Sequence, residues 1–120
     1  MLSKRFIKKI ERDVKALVNG PVSIKKIILF GSCARDSIRS TSDVDLLVVS
    51  DKSLSRDERI SLRWLLDEEI GGVETDLVFY SEELYCNDQS TFTRKLREEG
   101  IILWEEGVFS EYWNKLLCNC

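Results

Sequence analysis

Residues 30–49 read FGSCARDSIRSTSDVDLLVV, and most of the fold and chemistry can be read outward from them. The run before them, IKKIILF at 24–30, is short, apolar and rich in β-branched residues, which predicts a buried strand. Gly31-Ser32 ends that strand, and residues 32–38 predict one or two helical turns. Free N–H groups at a helix start, with the helix dipole, attract anions such as phosphate. Gly31 leaves the backbone open to such an anion because it has no Cβ. Ser32 adds a hydroxyl donor, and Arg35 a permanent positive charge.

Asp43-Val44-Asp45 opens the next run, DVDLLVVS at 43–50, which is almost wholly apolar after its first three residues. Such a run suits a strand covered on both faces. Residues i and i+2 of a strand share a face, so Asp43 and Asp45 converge. Paired carboxylates repel, and a divalent cation relieves the conflict; Mg²⁺ favours a few carboxylates completed by phosphate and water oxygens. VETDLVFY at 73–80 predicts a third strand with Asp76 set in an apolar run. If the two strands are neighbours, Asp76 completes a three-carboxylate set of the kind used in two-metal phosphoryl transfer. Each feature alone has an ordinary explanation as a turn, a helix cap or a solvated strand end. Gly-Ser and Asp-x-Asp at one fixed spacing arise by chance on the order of 10⁻³ per chain of this size.

Further out, residues 3–18 predict an amphipathic helix with Phe6, Ile10, Val14, Leu17 and Val18 inward and Lys4, Lys8, Lys9 and Lys15 on a solvated face. Asn19-Gly20-Pro21 predicts its stop, with Gly20 taking a left-handed cap. Residues 55–70 predict a helix whose apolar face is Ile60, Leu62, Leu65, Leu66 and Ile70, broken by Gly71-Gly72. A helix over about 89–99 and a short strand at 101–104 follow. Phe109, Tyr112, Trp113, Leu116 and Leu117 place a last helix at 108–117, packed on the body or exposed for docking. The pattern α-β-α-β-α-β-α-β-α, without repeat or linker, predicts an α/β (α+β) fold, a mixed sheet flanked by helices.

The chain has 120 residues, 43% hydrophobic and 32% charged, which fits one domain over 1–120. There is no histidine, which excludes histidine bases, Ser-His-Asp and Cys-His catalysis, and histidine-held metals. Cys33, Cys86, Cys118 and Cys120 lack zinc-site spacing and receive no function. No G-x-x-x-x-G-K-[ST] motif is present, which argues against a P-loop ATPase. Residues 1–39 hold ten Lys/Arg against three Asp/Glu, and residues 40–120 eight against eighteen. The net charge of −3 speaks against duplex nucleic-acid binding. No apolar run is long enough for a membrane span, and the charged N-terminus lacks a secretory pattern; the expectation is a cytoplasmic protein.

Gly31-Ser32-x10-Asp43-x-Asp45 with an Asp on the next strand resembles the DNA polymerase β-type nucleotidyltransferase superfamily. The nearest branch is the minimal nucleotidyltransferases associated with all-helical HEPN proteins. The resemblance spans residues 22–104, and TFTRKLREEGIILWEEG at 91–107 is similar to the end of these proteins. It implies nucleotide binding by Gly31, Ser32, Arg35 and Ser42. It also implies two Mg²⁺ ions on Asp43, Asp45 and Asp76, with Asp76 as the base that deprotonates an acceptor hydroxyl. The implied reaction is transfer of a nucleoside monophosphate, AMP from ATP or another NTP, with release of pyrophosphate. The implied partner is a HEPN-type protein modified by an antitoxin; a homo-oligomer is a further possibility. Residues 108–120 would form a C-terminal helix and tail on a core too small to carry its own acceptor-binding domain. The family usually has Gly where this chain has Asp36, and an acidic group near a triphosphate weakens binding. That departure and the aromatic 108–117 segment support the alternative, a weak or inactive subunit that neutralises a helical partner by binding alone.

Overall fold

The computed structural model describes residues 2–35, 43–66 and 68–118. Along the chain run α1 (Lys4–Val18), β1 (Lys26–Phe30), α2 (Gly31–Arg35), β2 (Val44–Ser50), α3 (Arg56–Leu65), β3 (Thr75–Ser81), α4 (Glu82–Asn87), α5 (Thr91–Glu99), β4 (Ile101–Glu105), β5 (Val108–Phe109) and α6 (Glu111–Cys118). The strands form one mixed sheet in the order β3-β2-β1-β4-β5. β2 and β3 pair in parallel, with α3 in the crossover between them, and the other pairs are antiparallel.

Both faces of the sheet are covered, as the apolar β2 sequence requires. On one face Ile27, Leu29, Val44, Leu46, Val48, Leu77 and Leu103 pack with Phe6, Ile10, Val14 and Leu17 of α1, Leu62 of α3 and Trp113 and Leu116 of α6. On the other, Ile28, Leu47 and Val49 pack with Leu96 of α5, flanked by Phe30, Val78, Tyr80 and Tyr85. Full burial of one such side chain contributes about 1.5–3 kcal/mol. The sheet is thus locked between two helical layers.

The fold class is as the sequence predicts, with corrections in detail. Lys9 is not solvated: it is 1% exposed, as is Asp13, and the two form an ion pair at 2.8 Å. Gly20 does not take a left-handed conformation. A Cβ there would lie 3.0 Å from Leu65 Cδ1 and 3.1 Å from the Ala16 carbonyl, so space explains the residue. α3 ends at Leu65 rather than 70, leaving Leu62 and Leu66 buried while Ile60 and Leu65 are exposed. Gly71 and Gly72, both at positive φ, turn the chain between Ile70 and Val73 instead. α4 and β5 are additional elements. Phe109 lies in β5, and its ring stacks on Trp113 with centroids 4.8 Å apart. The last helix therefore starts at Glu111 and belongs to the body of the molecule, with Trp113 and Leu116 buried.

Candidate active site

The deciding contact is the register of the two parallel strands. Asp45 lies level with Asp76 across the β2–β3 pair and with Phe30 across the β1–β2 pair. Level residues in a sheet point to the same face, so the Asp45 and Asp76 carboxylates share one face. Asp43, two residues before Asp45, precedes the strand on that same side, half-buried. β3 is an outer strand, and Asp76 is exposed while Asp45 is half-buried.

β1 delivers the turn to the same place. Phe30 ends the strand and Gly31 follows at φ +71, a conformation side-chain-bearing residues avoid. A Cβ on Gly31 would lie 2.2 Å from Asp45 Oδ2. The glycine therefore makes room for the carboxylate itself, a closer constraint than access for a ligand. α2 has only five residues, Gly31–Arg35, with Ser32 half-buried in its first turn. Arg35 is exposed, its guanidinium 3.5 Å from Glu99 of α5, and its charge still lowers the Asp45 pKa. Ser42 and Asp36 lie outside the described residues, as does the second half of the helix predicted over 32–38.

Electrostatics tie the group together. Burial, then the charges of Asp76 and Asp43, push the Asp45 carboxyl up to about 6, against a smaller opposing pull from Arg35. The Cys33 thiol, buried in α2 and donating to the Asp43 carbonyl at 3.7 Å, is pushed up to about 11 by burial and by Asp45 and Asp43. It is therefore protonated at neutral pH and no nucleophile.

A cleft of about 530 Å³ runs past Asp45 and Asp76. Phe30 and Phe92 form part of its wall, meeting edge to face with centroids 6.1 Å apart. Arg63, Leu66, Glu74 and Thr75 line the other part. None of these was picked out from the sequence as a site residue; Arg63 and Phe92 reach the cleft only through the crossover of α3 and the docking of α5. Arg63 is held with its guanidinium 4.9 Å from the Phe79 ring centroid.

The carboxylates suit a hard cation by donor chemistry. All offer oxygen donors, and the raised Asp45 pKa, owed first to burial, includes a repulsion from Asp76 and Asp43 that a divalent ion would relieve. Among the described residues no three acidic or thiol groups close a metal site by themselves. An ion here needs further oxygens, which Mg²⁺ takes from water and phosphate.

Such carboxylates beside a glycine turn, on a mixed sheet between helices, have the donor chemistry that metal-assisted phosphoryl transfer requires. The nucleotidyltransferase domain model matches residues 7–103, and the chain belongs to this family: it is a nucleotidyltransferase. It is 36% identical over 100 residues, 78% of this chain and 97% of the relative, to a protein of Methanocaldococcus jannaschii provisionally named a protein adenylyltransferase. Among solved structures it is similar to a toxin–antitoxin crystallised with AMP-PNP, at TM-score 0.58 and 21% identity, covering 94% of this chain and 81% of that one. It is also similar to a chain of the complex between tri-AMPylated HEPN toxin of Shewanella oneidensis and MNT antitoxin, at TM-score 0.55 and 21% identity, covering 91% and 76%. At these identities the structural likeness establishes the fold.

Proposed function

We propose that this nucleotidyltransferase moves a nucleoside monophosphate, AMP from Mg·ATP, onto a hydroxyl of a HEPN-type partner protein and so acts as an antitoxin in the cytoplasm. The observation that carries the reading is the level pairing of Asp45 with Asp76 beside the Gly31 turn. The names of the relatives support the nucleotide and the partner: one is named for protein adenylyl transfer, and two structures are toxin–antitoxin complexes, one with AMP-PNP and one with an AMPylated HEPN toxin.

In this reading the Gly31-Ser32 turn receives the β- and γ-phosphates, and Arg35 adds positive charge beside them. Asp43, Asp45 and Asp76 would hold two Mg²⁺ ions, which would neutralise the carboxylates and acidify the acceptor hydroxyl. Asp76, on the outer strand and open to solvent, accepts the proton from the acceptor at its carboxylate. Attack on the α-phosphorus forms the new ester and releases pyrophosphate. Positioning and charge neutralisation supply most of the rate.

The test is to incubate the chain with Mg²⁺, each NTP in turn and a HEPN protein that forms a complex with it, and to weigh the products intact. A gain of one or more nucleoside monophosphates on the partner is the expected result, lost in Asp45→Asn. No gain within a formed complex would leave only the binding-subunit reading. The aromatic 108–117 segment no longer favours that reading, since Trp113 is 3% exposed.

A further inference from the structure

The buried pair Lys9–Asp13 has no role in the site as described, yet it reaches the site from behind. Lys9 Nζ donates to Asp13 Oδ1 at 2.8 Å and to the Leu66 carbonyl at the end of α3 at 3.0 Å. Asp13 Oδ2 accepts a hydrogen bond from the hydroxyl of Thr75, the first residue of β3. Thr75 immediately precedes Asp76, and Thr75 and Leu66 both line the cleft that holds Asp45 and Asp76. Burial pushes the Asp13 carboxyl above its ordinary value, while Lys9, Thr75 and Arg12 pull it back.

Burying two charges is costly, and a well-packed apolar pair of the same volume often does as well for stability. The pair does something an apolar pair could not: it fixes two backbone segments through directional bonds. Successive side chains of a strand point to opposite faces. Holding the Thr75 hydroxyl on the α1 side therefore commits Asp76 to the other side, level with Asp45. We propose that Lys9, Asp13 and Thr75 form a positioning clamp that sets the start of β3, and with it the third carboxylate, against the end of α3. This rests on the reading of Asp76 as a metal ligand.

The experiment measures Mn²⁺ affinity in the presence of ATP, by electron paramagnetic resonance, beside urea unfolding midpoints. Thr75→Val keeps the shape and removes the hydroxyl; it is expected to weaken Mn²⁺ binding about tenfold, as loss of a supporting partner behind a metal ligand does. Thr75→Ser restores the hydroxyl and is expected to return affinity to within about twofold of wild type. Val14→Ala, in the core on the same helix, supplies a control that lowers stability and leaves affinity unchanged. Should Thr75→Val fail to fold, Asp13→Asn, which keeps an acceptor but removes the charge, is read in the same way. Unchanged Mn²⁺ affinity in a folded variant whose midpoint falls as in Val14→Ala would make the network merely structural and overturn the clamp. Asp76→Asn separates the two levels: unchanged affinity there overturns the ligand reading and the clamp together. A loss there without a loss in Thr75→Val overturns the clamp alone.

Discussion

A methyl group on Gly31 has nowhere to go, being 2.2 Å from Asp45 Oδ2 and on a backbone at φ +71. Gly31→Ala is expected to cost about 1–2 kcal/mol in backbone strain alone. It should also move the carboxylate, so nucleotidyl transfer falls further than the urea midpoint would suggest. Asp45 gives a second prediction. Its pKa in the metal-free fold is about 6, above the ordinary 3.8, so the folded state holds the proton more tightly than the unfolded chain. Metal-free stability should therefore fall as pH rises from about 4 to about 6 and level off above. Asp45 is half-exposed, and with solvent screening the loss is on the order of 1 kcal/mol. Urea midpoints in chelator, set against Asp45→Asn to remove the other carboxylates' contribution, measure it; added Mg²⁺ should restore the lost stability at pH 7.

At the scale of elements, local signals were legible where one element sufficed to produce them. The run after Asp45 read as a doubly covered strand because each residue from Leu46 to Ser50 is buried. α3 carries its start in its sequence: Ser55 accepts from the Glu58 N–H, and the Glu58 side chain accepts from the Ser55 N–H. Ser55→Ala should lower the unfolding free energy by about 1 kcal/mol without affecting nucleotide binding, as urea titration and ATP binding would measure. The end of α3 was not legible, because its Leu66 carbonyl is bonded by Lys9 from another helix. α4 buries no residue completely and so shows no apolar stripe; its local marks are Ser81, capping the Leu84 N–H, and Glu82 and Glu83 in the first turn. β5 is two residues long, beyond a turn in which Glu106 and Gly107 take positive φ. In the site, the residue types and the Asp43–Asp45 spacing were readable, whereas the level pairing of Asp45 with Asp76 depends on how two strands align. Lys9 was misread for the same reason: its charge suggests solvent, and only the partners on α1 and α3 make burial tolerable.

Across the whole molecule, the sheet separates support from chemistry. α6 and the β4–β5 hairpin close the end away from β3, and the Phe109–Trp113 stack lies there. Trp113→Ala should cost about 3–5 kcal/mol, a large share of the 5–15 kcal/mol typical of a domain. A melting temperature unchanged by Trp113→Ala would contradict the packing of α6. Trp64, 71% exposed on α3, should by contrast tolerate Trp64→Ala within about 0.5 kcal/mol. At the opposite end stands β3, the last strand of the sheet, with Asp76 on it. An enclosed pocket measures its substrate by volume; a carboxylate on the outermost strand has, among the described residues, no further strand behind it to do so. Under the proposed function, the size of the molecule that brings a hydroxyl to Asp76 is set by what fits alongside the rim, and a whole folded protein meets that condition as readily as a sugar.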